Sequence, residues 1–301
     1  MMLKRTHSNI EYLGLTLGSI LILYLIFSSL ISPTHFVSDI GNGYSSDKQN
    51  VYLNTSWGND NYFGGTERIV GADPNTFKYI GSSYAIDQNR GYYRTQGFEA
   101  DPTTLKVLGQ QFYARDNKNV YYRGRKLSGD VESFKFLSPG YPLGIFTKDK
   151  DNVYNNDGSV INNADAATIR VIGSGVGSGF PFLKDNYHVF YGEHLIQNAD
   201  LASFVVLSYP YAKDINSVYC KDIILDADPN SFTVLPVADT QNRVYAVYGK
   251  DNNTAYYCPA MNDVPVVKME AVDLESFKTG PTYMEAYDKF YKYHNGKKVL
   301  K

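Results

Sequence analysis

The chain has 301 residues, 43% of them apolar, which is enough to bury a substantial core. Its net charge of −2 is small and reads as evenly distributed, with no basic stripe, so the composition points away from nucleic acid. Two cysteines are too few for a disulfide scaffold and fit no zinc spacing.

From the N-terminus, residues 10–31 form an apolar run broken only by Glu11, Thr16 and a few Ser and Gly. About 20 such residues span a bilayer as a helix. Lys4 and Arg5 precede the run, which places residues 1–9 in the cytoplasm and the chain after Ser32 outside it. A cleaved signal peptide is the alternative. The run is longer than a signal core, however, and no clear small-x-small cleavage site follows it. A buried core helix is the third reading, with no counterpart in the repeats that follow. Residues 32–44 read as a linker.

From residue 45 to 301 one pattern recurs. Its anchors are Asp47, Asp87, Asp116, Asp149, Asp185, Asp214, Asp251 and a truncated copy at Asp288, spaced 29 to 40 residues apart. A period in that range marks a repeat array, whose single units are too small to bury their own apolar faces. The sequence predicts seven units and a truncated eighth. The first half of each unit approximates aromatic-x-Lys-Asp-x-Asn-x-Val-Tyr-Tyr, clearest at Tyr211–Cys220 (with Cys last) and at Tyr113–Tyr122 (with Arg115 for Lys and Lys118 for Asn), which is a β-hairpin signal with an Asp that bonds its own backbone. The 27 tyrosines fit this, since a Tyr ring packs on a pleated surface while its hydroxyl stays near water. Five residues past the Asp the side chain is aromatic (Tyr52, Tyr92, Tyr121, Tyr154, Phe190, Tyr219, Tyr293), and unit seven is read as reaching its equivalent, Tyr257, one residue late. The next position varies, which suggests an exposed rim.

The second half reads Ala-Asp-Pro-x-Ser/Thr-Phe, as at Ala72–Phe77 and Ala227–Phe232. Asp at an N-cap with Pro behind it predicts one helical or 3₁₀ turn before the next strand. The expected fold is all-β: a tandem array of short antiparallel hairpins, each followed by one helical turn, behind an N-terminal transmembrane helix. An open solenoid is favoured over a propeller, because units of 29 residues leave little room for four-stranded blades.

The phrase Asp-x-Asn-x-Val-Tyr-Tyr, with Ala-Asp-Pro-x-Ser/Thr-Phe behind it, resembles the bacterial DKNYY repeat family over essentially all of residues 45–301. That family has no established activity, so the resemblance implies a bacterial repeat protein and carries over no catalytic residue. Unit one departs from it by an insertion (54–67) and unit four by Asn155 in place of the second Tyr.

Few residues suggest chemistry. The glycine-rich stretch 173–179 has no helix opening from it and reads as a linker rather than a phosphate loop. The Asp149-Lys150-Asp151-Asn152 turn lacks the Glu and Gly of a calcium loop. The five histidines show no ligand spacing, and no nucleophile motif occurs, so no catalytic, cofactor or metal residue is assigned. Cys220 and Cys258 both follow a Tyr of their unit; they are either a disulfide between stacked units six and seven or two free thiols. Trp57 and Tyr62 in the insertion, with Tyr93, Tyr122 and Tyr191 on the expected rim, are the candidate contacts to a partner, an envelope protein or a glycan.

The sequence therefore predicts a membrane-anchored extracytoplasmic repeat protein acting as a non-enzymatic binding or scaffold module. The alternatives are a cell-envelope enzyme, such as a glycan hydrolase with two carboxylates between repeats, and a plain spacer.

Overall fold

In the computed structural model the described residues are 38–54, 65–109, 112–137, 146–173, 180–238, 244–259 and 265–299. Among them every regular element is a short strand, all sheet pairing is antiparallel, and no helix is long and apolar enough to cross a membrane. The apolar run at 10–31 lies outside the described residues. The chain divides into two compact units, residues 1–112 and 113–301.

The first unit holds two sheets, each a meander in which sequence neighbours are sheet neighbours. Repeat 1 is Ser38–Gly41, Tyr44–Ser46, Val51–Asn54 and Thr66–Ile69; repeat 2 is Lys78–Gly81, Tyr84–Ile86, Gly91–Tyr93 and Gln96–Phe98. The second unit holds six more. Repeat 3 contains Tyr113–Arg115, Val120–Tyr122 and Arg125–Ser128, and repeat 4 contains Lys135–Phe136, Thr147–Lys148 and Val153–Tyr154. Repeat 5 is Arg170–Gly173, Phe182–Lys184, Val189–Tyr191 and His194–Leu195. Repeat 6 is Val205–Ser208, Tyr211–Lys213, Val218–Cys220 and Ile223–Leu225. Repeat 7 is Thr233–Ala238, Val244–Lys250, Ala255–Tyr257 and Val267–Lys268. Repeat 8 is Lys278–Thr279, Glu285–Tyr287, Lys292–His294 and Lys297–Val299. Among the described residues no sheet closes into a barrel.

Two expectations are corrected by this arrangement. A 29-residue period does hold four strands, because most strands are only two to four residues long and the turns between them are equally short. The eighth repeat is also a full four-stranded sheet rather than a truncated copy.

The Asp-Pro segments do not form helix. In Asp73–Phe77 the Asp73 carbonyl accepts the N–H of Thr76 (3.2 Å) and of Phe77 (2.9 Å), and the strand Lys78–Gly81 begins at once. One turn is too short to propagate, since helix nucleation fixes several residues for a single bond. The turn belongs to the hairpin that follows it, not to the one before. Thr76 Oγ1 accepts the N–H of Gln88 (3.1 Å), and Ser203 and Ser276 do the same for Ile215 (3.0 Å) and Lys289 (2.9 Å).

Each sheet has two faces, and the core lies between successive sheets. The forward face of repeat 1 (Tyr44, Val51, Leu53) packs on Phe77, Ala85 and Tyr92 of repeat 2. Phe182, Val189 and Tyr191 of repeat 5 pack in the same way on Ala212 and Tyr219 of repeat 6, and Tyr248 and Tyr257 of repeat 7 on Ala286 and Tyr293 of repeat 8. The alanine in the middle of the second strand leaves room for the preceding sheet's aromatic ring. A sheet covered on both faces is apolar at successive positions, which is why Val-Tyr-Tyr does not alternate.

Repeat joints and a candidate binding cleft

The turn aspartates are structural hubs. Asp214 Oδ1 accepts the N–H of Asn216 (2.8 Å) and Ser217 (2.7 Å), while Oδ2 accepts the Tyr219 hydroxyl (2.6 Å) and the Asp200 N–H (2.8 Å). Asp87 and Asp288 repeat the arrangement with Tyr92 and Tyr293. Burial opposes the charge on Asp87, Asp214 and Asp288, but these donors outweigh it and hold each carboxyl below its usual range. The same bonds explain the five-residue spacing from Asp to Tyr. Asp149, in the calcium-like turn, is filled likewise by Asp151, Asn152, Tyr154 and Ser128 Oγ.

In repeats 3 to 7 the side chain six residues past the hub forms the joint to the next repeat. Tyr122 donates to the Asn156 carbonyl (2.7 Å), the Tyr191 hydroxyl meets that of Tyr209 (2.7 Å), and Tyr257 donates to Asn295 Oδ1 (2.8 Å). Asn155 reaches Glu193, and Cys220 forms a disulfide with Cys258, their Cα atoms 5.9 Å apart. The exposed-rim expectation for Tyr122 and Tyr191 is therefore corrected: they are 3% and 2% exposed. The position varies because each joint meets a different neighbouring surface. Repeat 7 is also not one residue late. Tyr256 lies five past Asp251 on the rear face, Tyr257 is the joint residue, and Cys258 follows the strand Ala255–Tyr257.

Tyr93 is different. It is only half-buried, with its ring 5.0 Å from that of Tyr84, and it lines a cleft of about 650 Å³ within residues 1–112. The other lining residues are Asn42, Gly43, Tyr44, Leu53, Asn54, Tyr79, Ser82, Ser83, Arg94 and Phe112. Tyr44 forms the floor, its hydroxyl sharing its proton between the carbonyls of Ser83 (3.2 Å) and Arg94 (3.1 Å), and burial followed by the nearby Tyr79 raises that hydroxyl's pKa above the ordinary tyrosine value. The rim is built from left-handed residues: Asn42 (φ 54°), Gly43 (83°), Ser82 (47°), Ser83 (67°) and Arg94 (54°). Gly43 is required there, since a Cβ at that φ would meet the Asn54 carbonyl oxygen at 3.3 Å. Bonds from Asn54 N–H to Gly43 O and from Arg94 N–H to Ser83 O, both 2.8 Å, hold the two turns in place.

Among its described lining residues the cleft offers aromatic faces, amides, hydroxyls and one formal charge, that of Arg94. None of its described lining residues is a carboxylate, histidine or cysteine. Sequence reasoning singled out Tyr93 but missed Arg94 and the two hairpin turns; adjacent left-handed positions filled by Asn-Gly and Ser-Ser were the available signal. Trp57 and Tyr62 lie outside the described residues, as does most of the glycine-rich stretch, from 174 to 179.

A model of the DKNYY family matches residues 113–180 and 182–301. No curated protein and no solved structure matches the chain.

Proposed function

The chain belongs to the DKNYY family, and from that premise we propose that it is a non-enzymatic binding module held outside the cytoplasm by an N-terminal membrane anchor. Its ligand, an envelope protein or glycan, sits in the cleft at Tyr93. The cleft carries this reading. Its size is that of a small-ligand site, and its walls suit stacking and hydrogen bonding rather than proton transfer. The prominent acids support binding over hydrolysis, because they are already filled by protein donors.

The apolar run at 10–31 with Lys4 and Arg5 before it supports the anchor and its direction. The Cys220–Cys258 disulfide supports an oxidising compartment. Within residues 113–301 we read the repeats as an open, solenoid-like array rather than a closed propeller, because the forward face of repeat 8 carries Glu285 and Lys292 where the other sheets present a ring and mostly a valine to a neighbour, and small-angle scattering measures that.

The test is capture by the full chain from envelope proteins and a glycan array, with Tyr93→Ala and Arg94→Ala as probes and Tyr187→Ala, exposed in the other unit, as control. Tyr93→Ala is expected to weaken capture about tenfold or more, the usual cost of losing a central aromatic anchor. Capture unchanged by both cleft substitutions would remove the cleft from the reading. No capture of any kind would leave the spacer in its place.

A further inference from the structure

The expected even spread of charge does not hold. Residues 278–301 contain six lysines and two acids, which leaves the rest of the chain net acidic. Of those two acids Asp288 is buried and filled, and Glu285 pairs with Lys292 at 2.7 Å. Repeat 8 thus ends in a cationic surface.

The forward face of this repeat departs from the other seven. The position that opens the hairpin is aromatic in all of them (Tyr44, Tyr84, Tyr113, Phe146, Phe182, Tyr211 and Tyr248) and is Glu285 in repeat 8. The position held by Val51, Val120, Val153, Val189 and Val218 becomes Lys292. A polar face of this kind suits a terminal repeat. Polarity alone would not require one sign of charge, nor would it leave aromatic rings in water. Register places Lys278, Tyr287, Lys292 and Val299 in one row across the four strands, all exposed. At the hairpin tip Phe290 is 61% and Tyr291 41% exposed, with Lys289 4.9 Å from the Phe290 ring and Lys298 4.1 Å from that of Tyr291. Lys289 also pairs with Asp273 at 2.7 Å.

We propose that this face and tip of repeat 8 dock on a bilayer that carries anionic phospholipids. Exposed Tyr and Phe suit the depth of lipid headgroups, and lysines with apolar stems reach phosphate from beside them. The excess of lysine selects a negative surface, each residue adding about five-fold to partitioning. A second copy meeting this surface with its own repeat 8 would set positive against positive, and one meeting it through its acidic remainder is separated from a bilayer by the dilution arm of the test below.

The experiment compares amide exchange in the full chain reconstituted into vesicles of phosphatidylcholine alone or mixed with phosphatidylglycerol. Strands Glu285–Tyr287 and Lys292–His294 are expected to exchange more slowly only in the anionic vesicles, and high salt should abolish the difference. Lys278→Glu with Lys297→Glu should abolish it too, as should Phe290→Ala, while exchange in Ala255–Tyr257 stays constant and reports that the variants are folded. Equal exchange in both vesicles would overturn the proposal. So would protection by soluble polyphosphate without vesicles, which marks a polyanion site, or protection that disappears on dilution, which marks a second copy.

Discussion

Replacing Asp214 with Ala tests the hub most directly. The carboxylate is buried and accepts four donors: the Asn216 and Ser217 N–H groups, the Tyr219 hydroxyl and the Asp200 N–H. Tyr219 is buried, so its hydroxyl finds no water when the acceptor goes, whereas the turn amides lie near the surface. A buried donor left unpaired costs about 1–3 kcal/mol, and bonds to a charged group sit at the upper end, so the loss should reach about 3 kcal/mol. Tyr219→Phe removes only one of the four bonds and should cost about 1 kcal/mol; repeat 5 already carries Phe190 at that place. Hydrogen exchange of Tyr211–Lys213 and Val218–Cys220 reads both changes locally, with repeat 2 as internal control. If Asp214→Ala loosens these strands no more than Tyr219→Phe does, the carboxylate is not what holds the turn, and the account of the Asp-to-Tyr spacing fails.

Acid should act on the same groups throughout the array. The carboxyls of Asp87, Asp149, Asp214 and Asp288 are held below their ordinary value by the bonds they accept, and that of Asp273, paired with Lys289 and Ser276, lies at about 2. Their contribution is therefore complete above the unfolded value of about 3.9 and is lost as pH falls through the lower folded values. Urea midpoints should stay flat from about pH 5 upward and drop below about pH 4, and a midpoint that rises on acidification would contradict this. Replacing Cys220 and Cys258 together by Ser opens a 38-residue loop and should remove about 4 kcal/mol from repeats 6 and 7 by chain entropy, measured as denaturant sensitivity against the oxidised protein. Gly296→Ala should release repeat 8 from repeat 7, because a Cβ at φ 73° would meet the Tyr257 Cβ at 2.6 Å. Faster exchange confined to Lys292–Val299 is the expected readout, and unchanged exchange there would show that the joint tolerates the methyl group.

The hairpins were legible because a turn Asp, an aromatic five residues on and a Val-rich run are local signals. The phase of the repeat was not. Asp73 and Asp87 are 14 residues apart, and only the fold shows that the Asp73 N–H donates to the Asp87 carboxylate, so that the turn belongs to the hairpin after it. The joint residues were misread for a related reason. Variation at Tyr122, Asn155, Tyr191 and Cys220 looks like exposure when one strand is considered alone, yet it reflects a different partner at each junction. The cleft had a single legible member, Tyr93, because its walls come from turns tens of residues apart that repeat stacking brings together. The cationic end was hidden by an acidic remainder that nearly cancels it in the total.

The forward-to-rear packing also gives the chain a direction in time. Tyr211 finds its acceptors in the Val247 and Tyr256 carbonyls, 36 and 45 residues downstream, and Cys220 finds its partner 38 residues downstream. A chain that leaves a ribosome or a translocon N-terminus first therefore emerges with its newest sheet always half-covered, showing one aromatic face until the next sheet arrives. At the sixth repeat that face also carries an unpaired thiol. A pause at this point would leave the thiol open to the wrong partner, so the pace of emergence and the oxidant present at that moment both bear on whether the array zips up correctly. The eighth sheet shows no such aromatic face, since Glu285 and Lys292 stand where the other sheets hold a ring and, in most of them, a valine.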